Sequence, residues 1–202
     1  ETKARGLSKS RSFRFDYAAT VNRLPTNSQV RIWLPMPQSN EHQHVKILNS
    51  TLPKNSQTYV EPTYGNKIAY FQTASPDSGN LSFKTSYHVV RQEVRGLANG
   101  NDRVELSAEQ RNRFLSANMK VPLSGKQLRL LKDVTLSDEP MTLARTLYNR
   151  VDDHVRYDKS RPGYGNGDVL WVCNSWYGNC TDFHSLFISL ARAKGLPARF
   201  EI

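Results

Sequence analysis

A cysteine stands between a glycine turn and a predicted helix in the segment YGNCTDFHSLF, residues 177–187. The apolar residues that predict this helix, from about 181 to 194, are Phe183, Leu186, Phe187, Leu190 and Ala191. Unpaired N–H groups and the dipole at a helix start favour an anion, and the thiolate is the nucleophilic form of cysteine. Cys180 is therefore a candidate nucleophile whose own N–H would face an oxyanion. The alternative is a buried structural thiol.

Two neighbours on the same helix suggest further chemistry. His184 lies four residues after Cys180, on the same predicted face, where it would be a base for the thiol or, with Asp182, part of a metal site. A zinc site needs three or four ligands, and only Cys180 and His184 share a face. A base one turn along a helix also tends to point past the sulfur. We therefore interpret His184 as a packed, hydrogen-bonded residue.

Aromatic and polar residues precede the cysteine and form a candidate substrate cleft: Trp171, Trp176, Tyr177 and Asn179. The alternative is that the aromatic rings only anchor the loop to the core. Cys173 is the second of the two cysteines, so at most one disulfide is possible. A bridge between Cys173 and Cys180 would silence the nucleophile.

The residues before the cysteine segment predict the helical part of the fold. A stripe at helical spacing follows Pro140, with Ser137 or Asp138 as the expected N-cap: Leu143, Ala144, Leu147, Tyr148, Val151, His154 and Val155. The segment DKSRPGYGNGD, residues 158–168, predicts an exposed loop, here called the glycine loop. Gly195 and Pro197 would end the helix that carries Cys180.

The first hundred residues predict short strands. In FRFDYAATV, Phe13, Phe15, Tyr17, Ala19 and Val21 share one face at period two; VRIWL and LSFKTSYHV alternate in the same way. Five to seven such strands separated by turn signals favour an antiparallel β-sandwich. We predict an α+β chain with a basic tail at 1–12, a β-sandwich at 13–106, an irregular linker at 107–125 and a helical domain at 126–202.

Composition excludes several classes. A hydrophobic content of 38% with 23% charged residues is typical of a globular protein, and no apolar run is long enough for a membrane span. The formal net charge is +10, but the charges are scattered without long runs, so a nucleic-acid partner is not favoured. Neither a signal peptide nor an initiator Met is visible.

Two segments resemble a known family. YGNCTDFHSLFISLARAKGLPARFEI, residues 177–202, resembles the core of the transglutaminase-like superfamily, whose nucleophile follows Gly-x and opens a helix ending in Gly-[Ile/Leu]-Pro-Ala-Arg. YNRVDDHVRYDKSRPGYGNGDVLWVC, residues 148–173, is similar to the bacterial branch, which runs through V-x-Y-D into a Gly-rich loop. The match covers roughly residues 126–202, and the β-rich half is similar to the domain often attached in that branch.

The resemblance implies a papain-like arrangement, with Cys180 as nucleophile, a histidine as base and an aspartate to orient it. In the family these two partners lie on later strands, the first of which would begin at residues 198–202. The position of the family's histidine base is not occupied by any of the five histidines of this chain, which are His42, His44, His88, His154 and His184. We therefore expect a fragment, or a piece completed by a second chain or segment, and little turnover by it alone.

The resemblance also implies a reaction. Cys180 would form a thioester from a peptide or amide bond of a peptide or protein substrate, resolved by water or by an amine. The bacterial relatives favour hydrolysis by a cysteine peptidase, and the family implies neither metal nor organic cofactor. Export is common in the family and favours a periplasmic or secreted location. The alternatives are a basic binding module without catalysis and a pseudoenzyme in which Cys180 is structural.

Overall fold

The computed structural model describes residues 9–94 and 105–200 and divides the chain into two units, residues 1–103 and 104–202. The first unit contains six strands: β1 (Ser10–Val21), β2 (Gln29–Pro35), β3 (Gln43–Ser50), β4 (Gln57–Val60), β5 (Lys67–Ala74) and β6 (Leu81–Gln92). The second contains α1 (Ala108–Leu115), a 3-10 helix (Lys126–Leu131), α2 (Pro140–His154), β7 (Arg156–Tyr157), α3 (Val169–Ser175), β8 (Tyr177–Gly178) and α4 (Cys180–Ala193). Within the described ranges, no helix is long and apolar enough to cross a membrane.

The strands of the first unit form two three-stranded antiparallel sheets, in the orders β1-β6-β3 and β2-β5-β4. Phe71 of β5 and Phe83 of β6 meet edge to face with ring centroids 5.7 Å apart. Leu34 and Ala69 are buried with them in one apolar cluster. The predicted class, antiparallel sheets combined with helices, is confirmed.

Strand β1 keeps the face that its sequence predicts but not the expected burial. Phe15 is paired with Tyr87 of β6, and their rings stack with centroids 6.1 Å apart. Phe13 and Phe15 nevertheless remain substantially exposed. Period-two spacing assigns residues to a common face, but it does not show whether another layer covers that face.

Helix α4 forms the centre of the second unit. Leu186 and Leu190 are completely buried in a cluster with Leu147 of α2 and Val172 of α3. The stripe predicted for α2 is buried at Leu143, Leu147, Val151 and Val155, as expected for an amphipathic helix, whereas Tyr148 is exposed. The transition from Tyr177 and Gly178 into α4 is held by parallel pairing of β7 with β8.

Two predictions for the flanking segments are wrong. Residues 107–125 are not an irregular linker throughout, because Ser107 caps α1 through a reciprocal capping box with Gln110, and Phe114 is buried. The N-cap of α2 is neither Ser137 nor Asp138 but Glu139, whose carboxylate accepts hydrogen bonds from the N–H groups of Met141 and Thr142. Pro140 follows directly as the first helical residue, as predicted.

The end of α4 is tied to residues far away in the sequence. Gly195 adopts a positive φ of 78° just after the C-cap, as its sequence position predicts. The buried Arg192 donates from Nε to the carbonyl of Ala198 (2.9 Å) and from Nη1 to that of Ser116 (2.7 Å). The N–H of Ala198 also donates to the carbonyl of Phe114 at 3.0 Å. These bonds join the last described residues to α1.

Candidate active site

Cys180 is the first residue of α4, and its side chain is exposed and not in a disulfide. The Asn179 side chain caps the helix by accepting a hydrogen bond from Thr181 N–H at 2.9 Å. The Asp182 carboxylate completes the capping box by accepting from Asn179 N–H at 2.9 Å. The backbone on both sides of the cysteine is therefore fixed while the thiol faces solvent.

Asp182 also holds the glycine loop, residues 158–168. Its carboxylate is completely buried and accepts hydrogen bonds from the N–H of Gly165 at 2.7 Å and of Gly167 at 3.1 Å. Hydrogen bonds to ionised groups are stronger than neutral ones, and a buried carboxylate requires such partners. One side chain thus joins the loop to the turn that carries Cys180.

The close approach of these segments depends on two positions without a side chain. A Cβ added to Gly178 would lie 2.6 Å from Asp182 Cβ and 2.7 Å from Asp182 Oδ2. A Cβ on Gly167 would lie 2.7 Å from Ser185 Oγ, at a φ of 60° that favours glycine. The glycines of this region therefore allow the loop and the turn to contact the first two turns of α4.

The side chains of Trp171 and Tyr177 pack against the glycine loop. Their rings meet edge to face with centroids 5.3 Å apart, and Tyr177 Oη donates to the carbonyl of Pro162 at 2.8 Å. The guanidinium of Arg161 lies 3.8 Å from the centroid of the Tyr177 ring. Gly163 lies directly against the Trp171 indole, which a Cβ would approach to 2.8 Å. The structure thus places both residues in contact with the loop.

Asp158 fixes the first turn of the loop. Its carboxylate accepts from both the Ser160 hydroxyl (2.6 Å) and the Ser160 N–H (2.8 Å), and it pairs with Arg161 Nε at 3.1 Å. The hydroxyl and N–H of Ser160, followed by Arg161, hold the pKa of this carboxyl below its usual value. Because Arg161 also covers Tyr177, the acid at the loop start is linked to the strand that precedes Cys180.

Trp176 differs from the other cleft candidates. It is the left-handed C-cap of α3, with a φ of 62°, and its side chain is 65% exposed. The indole lies against the His154 ring with centroids 5.4 Å apart, and it lines an open cavity of about 660 Å³ with Asp152, Arg156 and Asn174. Asn179, in contrast, acts as the N-cap of α4. The assignment of these four residues to one substrate cleft stays a prediction.

Cys173 is a free thiol, and His184 does not have the burial that the sequence predicted. Half-burial raises the pKa of the Cys173 thiol, an effect that the nearby Lys126 charge partly opposes. The prediction that His184 is packed is wrong, because its side chain is exposed and its ring only contacts that of Phe200, with centroids 5.9 Å apart. Within the part of the chain that the structure describes, no three His, Cys, Asp or Glu side chains are grouped as a metal site would require.

The second unit resembles a known family. Residues 129–202 match the family model of the transglutaminase-like superfamily. This segment, which includes the glycine loop and Cys180, is a transglutaminase-like domain. The crystal structure of a "putative cysteine protease" from Cytophaga hutchinsonii superposes with a TM-score of 0.64 at 18% identity, over 93% of this chain and 66% of that one. This likeness shows a shared fold.

An uncharacterized protein of Haemophilus influenzae is 25% identical to this chain over 192 residues. The alignment covers 86% of the chain and 50% of the relative. The chain therefore spans about half the length of this curated relative, and 66% of the length of the solved one.

Sequence reasoning missed the main organising residue of the transglutaminase-like core. Asp182 was considered only as a weak metal ligand, whereas it is the carboxylate to which the glycine loop is bonded. The available signal was its position three residues after Asn179, which is the spacing of a capping box. Helix α3 was also missed, although Asp168 precedes its apolar run and caps it.

Proposed function

We propose that this chain contributes the nucleophile of a cysteine enzyme that cleaves peptide or amide bonds through a thioester on Cys180. The observation that carries the proposal is the position of Cys180, an exposed thiol at the first residue of a helix whose start is fixed by Asn179 and Asp182. A nucleophile has to reach substrate from a rigid support, and this arrangement provides both. The match of residues 129–202 to the transglutaminase-like superfamily supports the same chemistry.

The first step forms the bond between Cys180 Sγ and the carbonyl carbon of the substrate. The tetrahedral intermediate then collapses, the carbon–nitrogen bond breaks, and the amine leaves with a proton supplied by an acid. The N–H of Cys180 lies in the first turn of α4, where backbone donors have no partner within the helix, and it is the donor we assign to the oxyanion.

The proton of the Cys180 thiol requires a base. Three described histidines make other contacts: His88 with Ser12 Oγ, His154 with Trp176 and His184 with Phe200. Because none of the five histidines of this sequence occupies the position that the resemblance implies, we assign the base, and the acid that protonates the leaving amine, to a further histidine, oriented by an aspartate as in the superfamily. A second chain or a further segment would bring it to Cys180.

Water is the proposed acceptor in the second step, so that the thioester is hydrolysed to a carboxylic acid and the thiol is regenerated. Transfer to an amine shares the first step and is the alternative outcome. We propose a peptide or protein as the substrate because the exposed position of Cys180 is open to large molecules. The solved protein with the same fold is described as a "putative cysteine protease", which supports hydrolysis as the outcome we propose.

The test uses the natural full-length protein, incubated with fluorescein-labelled casein and then with casein plus an excess of glycine ethyl ester. Cys180→Ser should reduce peptide-bond cleavage by roughly a thousandfold or more, as in dismantled triads. Cys173→Ala is the matched control and should retain activity, since Cys173 does not open a helix. Retained cleavage in Cys180→Ser would refute the assignment, and incorporation of glycine ethyl ester would indicate transfer instead of hydrolysis.

A further inference from the structure

A band of aromatic side chains crosses the solvent-facing side of the β2-β5-β4 sheet in the first unit. Trp33 of β2 and Tyr70 of β5 are cross-strand partners with ring centroids 5.1 Å apart. Tyr59 of β4 continues the row at 6.3 Å from Tyr70. Trp33 is 60% exposed and Tyr59 is 50% exposed. These three residues are called the aromatic band.

The aromatic band lies on the side of the sheet opposite to the apolar cluster. Along β2 the buried residues are Val30 and Leu34, so Trp33 faces the other way. Along β5 they are Ala69 and Phe71, which places Tyr70 on the same outer side. Core packing therefore does not require these rings, and a group of exposed aromatic rings is typical of a binding surface.

Amide side chains surround the band and are linked to its hydroxyl groups. Gln72 Nε2 donates to Gln29 Oε1 at 2.7 Å, and Tyr70 Oη donates to Gln72 Oε1 at 3.2 Å. Tyr59 Oη donates to Gln57 Oε1. Each amide has two donors and an oxygen with two lone pairs, so these contacts use only part of its capacity. The surface can thus offer both donors and acceptors next to the rings.

The charge of this sheet distinguishes between classes of ligand. Strands β2, β4 and β5 contain no acidic residue and two basic ones, Arg31 and Lys67, in a protein with a net charge of +10. Single-stranded nucleic acid is bound on aromatic platforms with a strongly basic track, which two cations do not provide. A cationic ligand would have no carboxylate on these strands as a partner.

We propose that the aromatic band binds a neutral polysaccharide chain. The C–H faces of sugar rings pack on aromatic rings, and sugar hydroxyls pair with amide donors and acceptors, which are the two kinds of group that this surface combines. The planes of neighbouring rings differ by 41° and 59°, so the band follows the twist of the sheet. Because the ring planes are not parallel, the aromatic band fits a single polysaccharide chain better than the flat surface of a crystalline polysaccharide. This site does not depend on the chemistry of Cys180.

The experiment titrates cellohexaose and chitohexaose, two uncharged extended oligosaccharides, into the natural full-length protein by calorimetry and tryptophan fluorescence. At least one of them should bind saturably. Trp33→Ala and Tyr59→Ala should each weaken that binding by roughly tenfold, which is at the low end of what one aromatic ring contributes when a nucleobase stacks on it. Gln72→Ala should weaken it by a smaller factor. Leu48→Ala, an equally exposed apolar position on β3, should leave the affinity unchanged, as should Cys180→Ala.

Each other outcome decides against the proposal. If neither hexasaccharide binds, or if binding persists in both Trp33→Ala and Tyr59→Ala, the band is not a glycan site. Parallel titrations with a 20-nucleotide thymidine strand and a proline-rich peptide test the competing ligands. Binding of only one of these assigns the band to that class, and a dimer abolished by Trp33→Ala assigns it to a second copy of the chain. Thermal unfolding of every variant separates lost binding from lost structure.

Discussion

The carboxylate of Asp182 accepts a hydrogen bond from Gly165 N–H at 2.7 Å, across 17 positions of sequence. The same oxygen accepts from Asn179 N–H, and the other oxygen accepts from Gly167 N–H. Asp182 therefore both completes the capping box of α4 and positions the glycine loop. A change at Asp182 is expected to act on the loop and on the Cys180 turn together.

Asp182→Asn should destabilise the second unit by about 2–4 kcal/mol, because an amide NH2 replaces one acceptor oxygen and faces backbone N–H donors that lose their partner. The measurement is denaturant or thermal unfolding compared with Asp152→Asn, an exposed acid on α2 that should change stability by less than about 0.5 kcal/mol. Equal stability of the two variants would show that the buried carboxylate does not hold the loop.

Gly178→Ala should be more disruptive than Gly195→Ala. The methyl group at position 178 would meet the Asp182 side chain at 2.6–2.9 Å, so the turn before Cys180 must shift. At Gly195 nothing lies within 4 Å of an added Cβ, and the cost comes only from the positive φ of 78°, about 1 kcal/mol. Unfolding curves should rank the variants in this order, and an inverted order would contradict the close contact at Gly178.

Much of the second unit could be predicted because its signals are local. The spacing of Leu186 and Leu190, with Gly195 and Pro197 beyond, predicted helix α4 to within about a residue at each end. The loop bonds of Asp182 were not predictable in this way, since its partners Gly165 and Gly167 lie 15–17 residues away. Helix α3 is only two turns long, and periodicity is weak over so short a segment.

In the first unit, the sequence predicts which residues share a face of a strand but not whether that face is buried. Alternation placed Phe13 and Phe15 on the apolar face of β1, and the register confirms that face, yet both rings are exposed. From the sequence alone, Trp33 is simply one residue of the predicted hydrophobic strand VRIWL. Only the pairing with Tyr70 and the position of Tyr59 reveal an exposed band. Alternation shows which residues share a side, whereas coverage by other layers is a property of the whole fold.

The stability of the glycine loop should depend on pH because the pKa of the Asp158 carboxyl is lowered in the folded state. Its pKa is lowered in the folded state, so it contributes stability above the unfolded value of about 3.8, and this contribution is lost as the pH falls through the folded pKa. Limited proteolysis of the glycine loop with an acid-active protease should therefore show little change from about pH 6 to about pH 4 and increasing cleavage from there down to about pH 2. Asp158→Asn should be cleaved faster already at pH 6 and with a weaker dependence on pH. An unchanged profile in this variant would contradict the role of Asp158.

The two cysteines should differ in their reaction with iodoacetamide, measured residue by residue by peptide mass spectrometry. Cys180 is exposed at a helix start, whereas Cys173 is half-buried with a raised thiol pKa, so less of Cys173 is thiolate at neutral pH. At pH 7.5 Cys180 should be alkylated faster, by roughly tenfold or more. The rate at Cys173 should rise toward alkaline pH, and Lys126→Met should slow it further by removing the charge that opposes the shift. If Cys173 reacts as fast as Cys180 at neutral pH, Cys180 is not the selectively reactive thiol that the proposed function requires.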